Sequence, residues 1–422
     1  MIALLSVSFK FFYLFSSVIL AGQFVTATAT VPSLFIDFRK YYAVGALVFT
    51  KYREQIYDPV VQLQVLSHYT QAKFGFSYSE YPPFFFSMVA PFTLLPIDLA
   101  YIVWCLDSIL LSFAGLALLA KRACGLSWKQ IALVFFCTLL SAPGVQTFAL
   151  GQSSLILLPI AAFFCWTIIR KMDTLTGAAI ALSTIKPQYA PFLCIIPLST
   201  GRWWMLIVAV LGEIVLLLLA AATIGWRNVI HYPRVIAALD SGRIPAPIFM
   251  EYLVSIRQPL KLLPYPLPLV LGLTILAVGA AALFYLWRLA TKTKVATETE
   301  NELIIAYDNR KNLVERWLLA ATIMVALALS FHTHLHDCVL LSLPAVLTLP
   351  TLSLSRAFKL KPVALRFWTI GFLFYPLLGM LVYVYLDFNP DLKYGLFFFF
   401  NLLACLLSLW ISAQLLRTAP KP

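Results

Sequence analysis

Four polar groupings break an otherwise apolar chain. Asp37 opens the segment DFRKYYAVGALV, with Arg39 and Lys40 beside it. A carboxylate placed between an apolar stretch and an amphipathic one has two uses: it accepts a proton as a general base, or it caps the helix that follows. Asn separates the two, because it caps almost as well and accepts no proton at neutral pH. Lys186 interrupts the apolar run in STIKPQYAP, and Pro187 after it frees backbone groups. An ionisable residue there either meets a phosphate or carboxylate partner or snorkels to the interface. The segment SFHTHLHDC sets His332, His334, His336 and Asp337 close together and holds three of the chain's five His. Only His332 and His336 share a helical face, at i and i+4, so a hydrogen-bonding or charge-stabilising role fits better than a His-only metal site. Asp107 and Glu213 each fall within an apolar run, where protonated or helix-paired carboxyls are the ordinary case.

The elements that position these residues must form in lipid. Of 422 residues 61% are hydrophobic and 12% charged, with mean hydropathy +0.88. A soluble chain carries about 25% charged residues, so a soluble enzyme is excluded and an all-α polytopic membrane protein is expected. The formal charge of +13 does not point to nucleic acid, because basic cytoplasmic loops and anionic lipid account for such an excess. Seven Cys without CxxC spacing read as small apolar residues and not as a disulfide framework or zinc site. No GxGxxG, P-loop or strand-borne GxSxG offers a nucleotide cradle, which makes a lipid-carried substrate more natural.

The whole chain, 1–422, reads as one integral-membrane domain with eleven to thirteen spans. An uncleaved anchor from Phe11 to about Ala29 leads into a first external loop, 31–97. Within that loop Phe38, Tyr41, Tyr42, Val48, Phe49 and Tyr52 recur at helical spacing, opposite Arg39, Lys40, Thr50, Lys51 and Glu54. This pattern predicts an amphipathic interfacial helix. The stretch Pro82 to Pro96 predicts a short re-entrant or interfacial hairpin. Further spans are expected at 98–120, 130–147, 153–169, 174–186, 187–198, 203–223, 267–288, 317–331, 335–351, 367–386 and 394–416, with a second external loop at 225–266. The short connections that fall inside are basic, as the positive-inside rule requires. The basic residues of the external loops, Arg39 among them, suit an anionic ligand or lipid phosphate.

In order along the chain, DFRKYYAVGALV, YPPFFFSMVAPFTLLP, GQSSLILL, STIKPQYAPFL and SFHTHLHDCVLL resemble the motifs of glycosyltransferase family 87. These are polytopic GT-C enzymes related to bacterial polyprenyl-phosphate-mannose-dependent mannosyltransferases. The resemblance implies a GT-C fold whose first external loop supplies a catalytic Asp, matching Asp37. It implies an inverting transfer of a hexose or pentose, with mannose the first choice. The donor would be a polyprenyl-phosphate sugar and the acceptor a lipid-linked or glycan hydroxyl, on the external side of a bacterial plasma membrane. No metal or other cofactor is implied. Lys186 would face the lipid phosphate, helped by Tyr81, Gln152, His336, Asp337 and an external Arg such as Arg39. The sequence departs from the family at Asp337, where a second His is common, and at Ser153 and Ser154, where Asn often follows the Gln. Two other readings share the span count: an O-antigen-type polymerase or ligase, and a lipid or solute transporter or flippase.

Overall fold

The computed structural model describes residues 36–69, 78–240, 253–264, 266–292, 301–350 and 390–417. Among these residues the fold is all-α, with a single isolated antiparallel bridge between Leu253 and His334. The expected anchor at 11–29 and the expected span at 367–386 lie outside the described residues.

The helices, in chain order, are α1 (Ile36–Ala46), α2 (Pro59–Tyr69), α3 (Pro83–Val89, continued as a 3-10 turn Ala90–Leu94), α4 (Ile97–Arg122), α5 (Trp128–Leu139), α6 (Ala142–Leu150) and α7 (Ser154–Ile169). Then follow α8 (Asp173–Ser183), α9 (Ala190–Thr200), α10 (Trp203–Ile224), α11 (Trp226–Asp240), α12 (Arg257–Leu260), α13 (Leu267–Lys292) and α14 (Asn301–Leu329). A 3-10 turn (Leu335–Leu341) leads into α15 (Ser342–Thr348), and the last helix is α16 (Pro390–Arg417). Five of them carry an apolar stretch long enough to cross a bilayer: α4, α10, α13, residues 312–329 of α14, and residues 394–417 of α16. Their exposed Leu, Ile and Val, such as Leu110, Val215 and Val278, face outward because lipid is their solvent.

Several expected crossings take another form. The run 130–147 is two helices bent by 60°. Pro143 lacks the N–H that would continue α5, and Ser141 restarts the chain by accepting from the Gly144 N–H at 3.2 Å. The expected spans 174–186 and 187–198 are α8 and α9, of 11 residues each. At 1.5 Å per residue each arm is ~16 Å long, against a hydrocarbon core of about 30 Å. They form a helical hairpin that reaches only partway across. Contacts with α10 fix its depth: Arg202 Nε donates to Asp173 at 3.0 Å where both helices begin. Thr184 Oγ1 donates to Glu213 at 2.8 Å, halfway along the 22-residue α10. Glu213 is thus the helix-paired carboxyl expected of a residue in a span, whereas Asp107 is exposed on α4. The turn at the hairpin's tip carries Lys186. The region 335–351 is likewise a 3-10 turn plus a seven-residue helix instead of one long span.

Close approach between helices relies on small residues, as lipid supplies no hydrophobic drive for helix association. A side chain on Gly115 would lie 2.7 Å from the Pro159 Cα, and one on Gly177 would lie 2.5 Å from the Met205 carbonyl. Ser112 Oγ donates to the Leu155 carbonyl at 2.7 Å. At the end of the bundle remote from Asp37, basic residues fasten the helix ends together. Lys171 pairs with Glu315 at 2.5 Å, Arg316 donates to the Ala123 carbonyl at 2.5 Å, and Arg288 to the Ser199 carbonyl at 3.3 Å.

Candidate active site

Asp37 sits in the first turn of α1, inside the helix, and is buried. Its oxygens meet side chains: Oδ1 pairs with Lys40 Nζ at 2.6 Å, and Oδ2 accepts from Gln152 Nε2 at 2.5 Å. Both carboxylate oxygens are thus held by side chains. α1 does not run on as the amphipathic helix expected to Tyr52. It ends at Ala46, and Phe49 and Tyr52 are 60% and 42% exposed. Lys40, expected on the solvent face, turns back to Asp37, because residues at i and i+3 are neighbours on a helix.

Gln152 reaches Asp37 through a left-handed turn. α6 ends at Gly151 with φ +71°, and a Cβ there would lie 2.5 Å from the Cβ of Phe38. Only glycine meets both the backbone angle and the approach of α1. The next three residues then join everything polar in the site. Gln152 Oε1 accepts from the hydroxyls of Tyr41 and Tyr81 at 2.9 and 3.1 Å. Ser153 Oγ shares a hydrogen bond with the Tyr81 hydroxyl at 2.9 Å. Ser154 Oγ accepts from Lys186 Nζ at 2.9 Å and donates to Asp337 Oδ1 at 2.8 Å.

Tyr81 is held by the first loop. Tyr57 donates to its carbonyl at 2.6 Å, and Tyr78 donates to the Tyr57 carbonyl at 2.6 Å. Its ring stacks on Phe85 at 4.2 Å between centroids. Gln62 clamps the same strand of chain, donating to the Ser79 carbonyl at 3.2 Å and accepting from the Ser79 N–H at 2.9 Å.

Deeper in the bundle Lys186 forms a buried ion pair with Asp337. The other oxygen of Asp337 accepts from the His334 N–H at 3.1 Å. His336 Nε2 lies 3.8 Å from Asp337 Oδ1, and its ring stacks on that of His334 at 5.3 Å. His332 turns aside to Arg257, 3.3 Å away. Arg39 also points elsewhere: Nη1 donates to the Tyr69 carbonyl at 3.1 Å, tying α1 to α2. The fold therefore brings Asp37, Tyr81, Gln152, Lys186, His336 and Asp337 into one region and directs Arg39 away from it. Sequence reasoning passed over Lys40, Tyr41 and Ser154 as site residues. The D-x-x-K spacing was a usable signal for Lys40; nothing local marked Tyr41 or Ser154.

Burial works to raise the Asp37 pKa, but the Lys40 ammonium, with the Gln152 amide, outweighs it and holds the carboxyl below its ordinary range. Lys40 is likewise desolvated, yet Asp37 keeps its pKa above the ordinary value. The carboxylate is therefore ionised at neutral pH. Each of its oxygens has a lone pair beyond the bond it already accepts, so it can take a proton from a hydroxyl placed against it.

The sequence profile of glycosyltransferase family 87 matches residues 80–307, over half of the chain. The chain belongs to glycosyltransferase family 87. Tyr81, Gln152 and Lys186 fall within the matched interval, while Asp37, His336 and Asp337 lie outside it. Comparison with curated proteins and with solved structures gives no match. Membership makes this all-α polytopic membrane protein a glycosyltransferase and removes the transporter or flippase alternative. For a family 87 glycosyltransferase built on this turn, Gly151→Ala is expected to lower stability by more than the ~1–2 kcal/mol of a left-handed non-glycine residue, since the Phe38 contact is added to it. Unfolding in detergent, followed by circular dichroism, measures it; an unchanged midpoint would contradict the packing of α1 on Gly151.

Proposed function

We propose that this glycosyltransferase moves a hexose, with mannose the first choice, or a pentose from a polyprenyl-phosphate donor to a hydroxyl of a lipid-linked or glycan acceptor, with inversion. The observation that carries the reading is the buried, ionised Asp37 carboxylate, oriented by Lys40 and Gln152 at the end of the bundle remote from the basic helix ends. By the positive-inside rule that end is external, which in a bacterial plasma membrane is the periplasmic side.

In the reaction the acceptor hydroxyl gives its proton to Asp37 as its oxygen attacks the anomeric carbon. The bond from that carbon to the phosphate oxygen breaks on the opposite face, and its electron pair leaves with the polyprenyl phosphate. A phosphate leaving group is already an anion and needs no general acid. It needs preorganised donors. Among the described residues two of the three N–H groups of Lys186 are taken by Ser154 and Asp337, leaving the third for a phosphate oxygen. The Tyr81 hydroxyl, bonded to Gln152 and Ser153 between Asp37 and Lys186, would orient the groups that line the donor's site. Asp337 and His336 position Lys186.

Incubating the protein in proteoliposomes with matched sets of polyprenyl-phosphate sugars and nucleotide sugars tests the donor class. Release of polyprenyl phosphate with transfer of its sugar is the expected result. Transfer from nucleotide sugars alone would overturn the proposal.

A further inference from the structure

The helix α11 is amphipathic in a way that the sugar-transfer site does not use. It begins one residue after the span α10 ends, at Gly225, so it lies at the surface of the bilayer that α10 crosses. At about 100° per residue, its residues divide into three faces. The inner face docks on the first loop. Asn228 is buried and donates to the Arg53 carbonyl at 2.8 Å, and Tyr232 donates to the Glu80 carbonyl at 3.3 Å, with its ring 5.6 Å from that of Tyr57. A second face is apolar and exposed: Trp226 and Ile230 are 57% and 65% exposed, and Pro233 and Ala237 continue the same stripe. The third face, roughly a quarter turn away, is also exposed and carries Arg227, His231 and Arg234.

We propose that α11 is a binding surface for the anionic headgroups of phospholipids in the leaflet at this end of α10. The apolar stripe enters the boundary between headgroups and acyl chains, as interfacial helices do. That depth brings the two guanidinium groups level with the phosphodiesters, which they can grip with paired N–H donors. Zwitterionic lipid offers the same phosphate without net negative charge, so the surface discriminates by charge. Because the inner face holds Glu80, the neighbour of Tyr81, lipid engagement bears directly on the segment that supplies Tyr81 to the site.

The test uses the full chain in proteoliposomes. Fluorescence of Trp226 is taken as the difference between the wild-type protein and Trp226→Phe. It is quenched with brominated phosphatidylglycerol or brominated phosphatidylcholine at graded mole fraction. The expected result is half-quenching at a mole fraction of phosphatidylglycerol about 25-fold lower than that of phosphatidylcholine, at about fivefold for each of the two arginines. In Arg227→Gln/Arg234→Gln the two lipids should quench alike, with Trp226 still quenched by both, which shows that the helix remains docked. Equal quenching in the wild type, or a preference that survives the double substitution, would overturn the proposal. So would full relief of phosphatidylglycerol quenching by polyprenyl phosphate at stoichiometric amount, which would assign the face to the donor's own phosphate.

Discussion

Replacing Asp37 by Asn is expected to reduce sugar transfer by about 10²–10⁴-fold, the range of a lost general base, while the helical fold persists. Asn retains an oxygen to accept from Gln152 but cannot carry the charge that Lys40 meets at 2.6 Å. The acceptor can then still bind, yet nothing takes its proton, so the loss falls on kcat more than on the donor's KM. The pH dependence follows from the same geometry. With its pKa below the ordinary range, Asp37 stays deprotonated through neutrality, and the acid limb of kcat/KM should appear only below about pH 4. The sign for stability is the same: a depressed carboxylate pKa contributes stability above its unfolded value, which is lost as pH falls through the folded one. Lys40, with a raised pKa, contributes below its unfolded value of about 10.4 and loses that contribution as pH rises further. Wild-type kcat in the Asp37→Asn variant would eliminate the general-base role and favour the polymerase or ligase reading, which relies on Arg and His.

The second large effect concerns the buried pair. The side chains of Lys186 and Asp337 are 6% and 1% exposed. Asp337→Asn leaves the Lys186 ammonium with the Ser154 hydroxyl and an amide oxygen in place of a countercharge, and removing one partner of a buried pair costs about 3–5 kcal/mol. Lys186→Met should cost a similar amount by stranding the carboxylate. Lys186→Met/Asp337→Asn removes both charges and should unfold later than either single variant, because two neutral groups of similar volume fit the same space. Unfolding midpoints in detergent give the cycle. Single-variant losses that simply add would mean that the two charges do not share one environment. Donor turnover by the double variant should stay low even where stability recovers, since the N–H proposed for the phosphate is gone.

How much of this was legible depended on whether a signal was local. Asp37 could be picked out because a carboxylate between apolar runs is conspicuous, but the Gln152 contact that orients it could not, since its partner lies far along the chain. Lys40 was misplaced by the assumption that every charge on an amphipathic helix faces solvent. A lysine one turn from a buried carboxylate gains more by pairing with it. The GQSS segment was visible as a motif, but its role as the link between Asp37 and Lys186 arises from residues 115 and 183 positions apart, Gln152 to Asp37 and Ser154 to Asp337. Periodicity cannot encode such pairings. Span counting worked for α4, α10, α13 and α16, whose apolar runs exceed the bilayer thickness. It failed for α8 and α9, because two half-length helices around a proline read as two crossings when only composition is weighed. Their contacts with α10 place Lys186 within the bundle.

The central claim is a single displacement from a lipid phosphate, with Asp37 as base. The anomeric configuration of the product tests it most directly: a polyprenyl-phosphate sugar labelled at its anomeric carbon is given to the protein in proteoliposomes, and the product is read by its coupling constant at that carbon. Inversion relative to the donor is the predicted result. Retention would require a covalent glycosyl intermediate or a second displacement and would contradict the account.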